Sequence, residues 1–318
     1  MDKSVSPDRA VPVRANTISP EHSARSGGES RRNEPDKMEQ VGVVGAGTMG
    51  AGIAQVCATA GLQVVMVDVG LEQLKRGQTT ITESLARLEP KGKLSRPAAE
   101  IAGRIRTSTD LHDLARVDLV IEAAFEDAGV KTELFKKLDA ACGPDAILAS
   151  NTSSISITRL AAATKRPDKV VGMHFMNPVP VMGYVELIRG LQTSDATLAA
   201  TKELAGRLGK IAVESNDTPG FIANRVLMPM INEAVFALSE GVGTADAIDT
   251  MMKGLNFPMG PLALADLIGL DVCLAVLEVM QRDFGDPKYR PAPLLRQYVQ
   301  AGWLGRKSGR GFFTYGMP

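Results

Sequence analysis

Histidine, cysteine and tryptophan are all scarce in this chain of 318 residues, which has 3 His, 3 Cys and 1 Trp, with aromatics at only 4%. Each scarcity excludes something. Cys57, Cys142 and Cys273 are odd in number, far apart and set among apolar residues. That pattern fits buried free thiols in a reducing compartment, and fits neither a disulfide framework nor a zinc site. Net charge is missing too: 36 Lys and Arg balance 36 Asp and Glu, so no global field points to nucleic acid or to a membrane surface. No run approaches the roughly 18 to 20 apolar residues that a bilayer span needs. The expectation is a cytoplasmic protein that handles small molecules.

The apolar fraction of 44% is enough to build real cores, and the length suggests two domains. Residues 1–37 stand apart: Ser, Pro, Arg, Glu and Asp dominate and no apolar periodicity survives, which predicts a disordered tail. The tail lacks the apolar core of a secretory signal and is too acidic for a transit peptide. Over 38–216, short apolar runs alternate with helical stretches, the pattern of a parallel sheet with crossover helices. Strands are predicted at Val41–Val44, Val64–Val67, Ile105–Ser108, Leu119–Ala123, Ile147–Ser150, Val170–Phe175, Tyr184–Ile188 and Ile211–Val213. The long charged segment Leu71–Gly103 reads as an inserted helical hairpin, broken at Lys91-Gly92-Lys93.

Over 217–318 the pattern is helical. Thr218-Pro219 offers an acceptor at a cap position and a proline for the first turn of Ile222–Glu240. Further helices are expected at Thr244–Lys253, Leu262–Arg282 and Ala292–Ala301. The predicted architecture is α/β: a Rossmann-type, mostly parallel sheet with an inserted helical hairpin, followed by an all-α C-terminal domain. That second domain carries more Leu, Val, Ala and Met than it easily buries alone, which predicts a subunit interface, with ordinary core as the competing account.

After the first predicted strand comes Gly45-Ala46-Gly47-Thr48-Met49-Gly50, a GxGxxG turn leading into a helix. Asp68 stands 18 residues past Gly50, at the end of the second strand. Alone, each feature is common. Together, strand, glycine turn, helix, strand and acidic residue form a dinucleotide-binding fingerprint. Gly45 permits the tight turn, Gly47 lets the backbone approach a pyrophosphate, and Gly50 lets helix and strand pack closely. Asp68 would accept hydrogen bonds from ribose hydroxyls and repel a 2'-phosphate, and Val69-Gly70 supplies no arginine to receive one. NAD is therefore favoured over NADP.

The catalytic search is short. His22 lies in the tail and His112 follows Asp110 at an exposed helix start, which leaves His174, at the end of a strand. Glu186 lies in the next apolar run, and a carboxylate there is costly unless it is paired. An imidazole on the neighbouring strand is the sensible partner, fixing the tautomer of His174 and strengthening it as a base. Exposure of Glu186 on an edge strand is the alternative. Ser150-Asn151-Thr152-Ser153-Ser154 supplies hydroxyls and an amide at another strand end, for a substrate oxygen and a nicotinamide. Asn224 sits one turn into the first helix of the second domain, able to reach across a cleft.

These motifs resemble the L-3-hydroxyacyl-CoA dehydrogenase family. The resemblance is carried by Val43–Ala54, Ala149–Ser154, Gly172–Met182, Asp217–Arg225, Pro258–Pro261 and the closing Leu304–Phe313, in unbroken order from about 39 to 316. Within the family the chain is most similar to the single-function bacterial 3-hydroxybutyryl-CoA dehydrogenases. The resemblance implies that His174 is the catalytic base and Glu186 its orienting carboxylate, while Ser153 and Asn224 position the substrate's C3 oxygen. It further implies that Glu126, Lys131, Asn177 and Lys307 contact the cofactor, that Ser84 and Lys91 meet coenzyme A, and that the helical domain makes a homodimer. Gly183 replaces a lysine of mitochondrial-type relatives, Phe175-Met176 a double phenylalanine, and Glu89-Pro90 alters the hairpin ahead of Lys91. These departures bear on acyl length and carrier. The same chemistry on a hydroxyacyl group carried by acyl carrier protein is the rival reading, and a non-catalytic NAD-binding protein a remote one.

Overall fold

A computed structural model describes residues 38–316. The expectations for residues 1–37 therefore lie outside the described residues. Eight strands form one sheet: β1 (Gln40–Val44), β2 (Gln63–Val67), β3 (Ile105–Ser108), β4 (Leu119–Glu122), β5 (Ile147–Ser150), β6 (Val170–Phe175), β7 (Tyr184–Arg189) and β8 (Ile211–Asn216), in the order β3-β2-β1-β4-β5-β6-β7-β8. Every neighbouring pair is parallel except β6 with β7. The inner strands are apolar at nearly every position because helices cover both faces.

On one face α1 (Thr48–Thr59), α2 (Leu71–Leu88) and α6 (Asp195–Arg207) pack on Val43, Met66, Ile121 and Met173. On the other, α4 (Ala128–Ala141) and α5 (Ile157–Ala161) pack on Val44, Val120 and Leu148. β1 sits between β2 and β4, so the chain winds outward in both directions from it. In open α/β sheets the crevice at such a point, beyond the strand C-termini, is where ligands bind. A third core joins α7 (Ala223–Ser239), α8 (Ala245–Gly254), α9 (Pro261–Ile268), α10 (Leu270–Phe284) and α11 (Pro293–Gln300) through Ile231, Leu262, Leu277 and Leu295.

Three local expectations need correction. The inserted hairpin has one long arm, α2, and only a five-residue second arm, α3 (Ala98–Ala102), because the 3-10 turn Glu89–Lys91 ends in left-handed Gly92 and the chain runs on without helix to Pro97. The run Leu262–Arg282 is two helices, split at Gly269 with φ +106. No side chain of the Thr218 turn caps α7; the carboxylate of Glu186 does so from across the sheet, while Asp217 caps α5, accepting from the Ile157 and Thr158 N–H groups at 3.0 and 2.7 Å. The three cysteines are free and buried, and burial pushes the Cys57 thiol up to about 12. Among the described residues no helix is long and apolar enough to cross a membrane.

Candidate active site

The glycine turn joins β1 to α1 at the sheet's C-terminal edge. Gly45 has φ +104, and a Cβ on Gly50 would come within 1.8 Å of the Gly45 carbonyl oxygen, so both positions exclude a side chain. A Cβ on Gly47 would meet nothing within 4 Å. The missing side chain there leaves open room at the start of α1. No capping side chain and no acidic residue occupies the first turn of α1, at Thr48 and Met49, which leaves its N–H groups and dipole available to an anion. Asp68 closes the turn from β2: Oδ2 accepts the Ala46 N–H at 2.8 Å and Oδ1 the Gly70 N–H at 3.2 Å. Its position is thus fixed, with lone pairs to spare for ribose hydroxyls. These residues fit a dinucleotide.

His174 and Glu186 are directly opposite each other in the antiparallel β6–β7 register. His174 Nδ1 lies 2.8 Å from Glu186 Oε2. Glu186 is 5% exposed, and β8 covers the outer edge of β7, so the solvent-facing alternative fails. Its other oxygen, Oε1, accepts the Ile222 and Ala223 N–H groups at 3.0 and 2.9 Å. Burial alone would raise this carboxyl; the His174 ring and the two N–H groups outweigh it, and the net direction is down. Phe221 flanks the imidazole at 6.0 Å between ring centres.

Beside the pair, Asn224 Nδ2 donates to the Ser153 carbonyl at 3.2 Å, joining the helical part to the loop after β5. Glu126 gathers that loop, accepting from the Thr152 hydroxyl at 2.6 Å and the Ser153 N–H at 2.9 Å. Burial pushes its carboxyl up, but Lys131, the Thr152 hydroxyl and the Ser153 N–H prevail, and the net shift is down. Asn151 spends its side-chain oxygen on the Phe175 N–H at 2.8 Å and so ties the ends of β5 and β6 together. Asn177 follows β6 and is exposed. A cavity of about 390 Å³ opens beside Glu126, lined also by Ser154, Arg159 and, from α10, Val279 and Arg282.

Three expected residues are not brought to this cluster. Lys307 lies 2.6 Å from Asp271 at the start of α10, whereas the cavity meets the other end of that helix, on the order of 17 Å along its axis. Ser84, late in α2, and exposed Lys91 belong to the α1–α2 layer, on the opposite face of the sheet from Phe221 and the His174–Glu186 pair. Other residues escaped the sequence reading. Lys210 donates to the Val179 and Met182 carbonyls at 2.6 Å each, pinning the β6–β7 loop; burial lowers its ammonium. Glu122, at the end of β4, bonds the Ser150 hydroxyl at 2.6 Å and Lys131 at 2.5 Å. Its signal was present: a carboxylate in an apolar run, the same feature that marked Glu186.

Comparison with known proteins gives matches along both parts of the chain. Residues 40–218 match the family profile of the 3-hydroxyacyl-CoA dehydrogenase NAD binding domain, and 220–315 that of the 3-hydroxyacyl-CoA dehydrogenase C-terminal domain. A probable 3-hydroxybutyryl-CoA dehydrogenase of Bacillus subtilis is 55% identical over 281 residues, covering 88% of this chain and 98% of that protein. The mitochondrial hydroxyacyl-coenzyme A dehydrogenase of Sus scrofa is 41% identical over 287 residues, 87% of this chain and 91% of the relative. The crystal structure of (S)-3-hydroxybutyryl-CoA dehydrogenase PaaH1 from Ralstonia eutropha, 54% identical, superposes with a TM-score of 0.85 over 88% of this chain and 99% of that one. With both of its domains matched in order, the chain is a member of the 3-hydroxyacyl-CoA dehydrogenase family.

Proposed function

We propose that the protein catalyses the reversible, NAD-dependent oxidation of an (S)-3-hydroxyacyl-CoA to the 3-oxoacyl-CoA, with 3-hydroxybutyryl-CoA as its short-chain substrate. The observation that carries this reading is the His174–Glu186 pair at the same sheet edge as the glycine turn. Glu186, as a carboxylate, only accepts, so Nδ1 of His174 carries the proton and Nε2 is left as a base. Nε2 takes the C3 hydroxyl proton, and Glu186 stabilises the imidazolium that results. Bound NAD supplies the hydride acceptor for C3. The Ser153 hydroxyl and the Asn224 amide hold the C3 oxygen. Gly45, Ala46, Gly47 and the first turn of α1 would hold the pyrophosphate, and Asp68 the ribose.

The reading divides the chain near residue 216, with cofactor handled before it and substrate enclosure and pairing after it. Exposed Val226, Met251, Leu255 and Leu267 give the helical part apolar surface, which supports a homodimer through that part. The buried free thiols support a reducing, cytoplasmic setting.

Acetoacetyl-CoA with NADH tests the activity directly. Steady-state turnover is expected, faster than with longer 3-oxoacyl-CoAs. Turnover of an acyl-carrier-protein thioester alone would overturn the choice of carrier, and no turnover of any 3-oxoacyl thioester would overturn the reaction.

Lys91 and Lys93 are exposed after α2, and we assign them to the phosphates of coenzyme A. Changing both to Ala should raise KM for acetoacetyl-CoA by about tenfold at low salt and flatten its salt dependence, with kcat spared, because remote contacts bind ground and transition states alike. An unchanged KM at low salt removes them from the substrate path.

A further inference from the structure

Lys210 is buried directly before β8, and the reaction above does not use it. Its ammonium donates to the Val179 and Met182 carbonyls, and among the described residues no carboxylate pairs with it. A charge withdrawn from water in this way is costly. An apolar side chain would fill the same space without that cost. What the lysine adds is a donor at the end of a long arm, and both of its acceptors lie in the β6–β7 loop, residues 176–183.

That loop joins the two halves of the proposed site. It begins directly after β6, whose last residues are His174 and Phe175. Further along it packs on α1: Val179 is 2% exposed and part of the core on that face, and a Cβ on Gly52 of α1 would lie 2.9 Å from the Val179 Cβ. Loop and helix therefore approach as closely as a glycine permits. In the reading above, the first turn of α1 holds the pyrophosphate, so the loop links the dinucleotide's helix to His174. Its other backbone bonds do not press it towards α1. The Pro178 carbonyl accepts the Val181 and Met182 N–H groups at 2.9 and 3.0 Å within the loop, and the Gly183 carbonyl accepts the Ile211 N–H at 2.8 Å at the start of β8. Among the described residues, the hydrogen bond that ties the Val179 backbone to another element is the one from Lys210.

We propose that Lys210 is a positioning residue: by holding the β6–β7 loop against Gly52, it sets the spacing between the helix that receives the dinucleotide and His174, and with it the path of the hydride to C3. The assignment rests on the reaction proposed above, and Lys210 acts on it through the loop.

Lys210→Met keeps an unbranched arm and removes the donors. At saturating NADH, kcat for acetoacetyl-CoA should fall by about tenfold or more, while Kd for NADH, from fluorescence titration, stays within about threefold because Gly45–Gly47 and Asp68 are unchanged. With NADH deuterated at the transferred position, the isotope effect on kcat should equal or exceed that of wild type, since the slowed step is hydride transfer. Gly52→Ala crowds the same loop from α1 and should also lower kcat. Combined with Lys210→Met, the losses should be less than multiplicative, because both act on one segment. Lys210→Gln, whose amide still donates, should show the same split on a smaller scale and serves if the Met variant does not fold. A kcat within about twofold of wild type, with or without a lower melting temperature, would make Lys210 merely structural and overturn the assignment. So would a smaller isotope effect, or losses that multiply with Gly52→Ala. Wild-type turnover tests the reaction itself, whereas this assignment is read from the ratio of variant to wild type, so the two can fail separately.

Discussion

Replacing His174 by Ala should lower kcat for acetoacetyl-CoA reduction by about 10²–10⁴, the loss usual for a missing general acid or base, while NADH binds as before. The glycine turn and Asp68 directly follow β1 and β2, neither of which pairs with the β6 strand that carries His174. Glu186→Gln should also lower kcat, because an amide cannot offset the charge of protonated His174, and combining both changes should cost little more than His174→Ala alone. If the two losses multiply, Glu186 has a role separate from the base. The same carboxylate carries a stability signature. Its pKa is held below the ordinary Glu value in the fold, so its contribution is fully present above the unfolded value and is lost as pH falls through the depressed one. Wild type should therefore lose melting temperature on acidification more steeply than Glu186→Gln does, and parallel curves would contradict this.

The second large effect concerns cofactor choice. Asp68 is locked by the Ala46 and Gly70 N–H groups, its charge would repel a 2'-phosphate, and Val69 and Gly70 beside it offer no cation to receive one. The wild-type enzyme should favour NADH over NADPH in kcat/KM by about 100-fold or more. Asp68→Ala should cost about 10- to 100-fold with NADH, the range for hydrogen bonds to a charged acceptor, and much less with NADPH, where a repulsion is also removed. Equal kcat/KM for the two cofactors in wild type would refute the role of Asp68.

The sheet was legible in the chain because helices cover both its faces, so its strands appear as unbroken apolar runs between polar segments. The glycine turn was legible for a similar local reason: the tight geometry at Gly45 and Gly50 admits almost no other residue. Glu186 could be found because a carboxylate in an apolar strand demands a partner, and register alone then brought it opposite His174. What could not be read depended on contacts distant in sequence. The cap of α7 comes from Glu186, 36 residues before Ile222, while the acceptors written next to that helix serve α5 or nothing. The split at Gly269 is hidden inside a periodic apolar stretch. Asp266, just before it, takes the Phe312 and Phe313 N–H groups at 3.0 and 2.9 Å, anchoring the closing segment that carries Lys307 far from the cavity. Motif order along a chain carries no information about which end of a helix bundle a residue reaches.

Glu186 has one oxygen on the His174 imidazole and the other on the first amides of α7, so the angle at which that helix arrives is transmitted to that ring through three bonded atoms. This bears on recombination between relatives. A chimera joined near residue 216 would place its seam beside the groups that orient His174, and a well-folded hybrid could still be inactive because α7 enters slightly askew. Joining instead after Ser239, beyond the C-terminal end of α7, keeps the β7 carboxylate and its two amides from a single parent. Libraries built on the second seam should retain a larger fraction of active members at equal thermal stability.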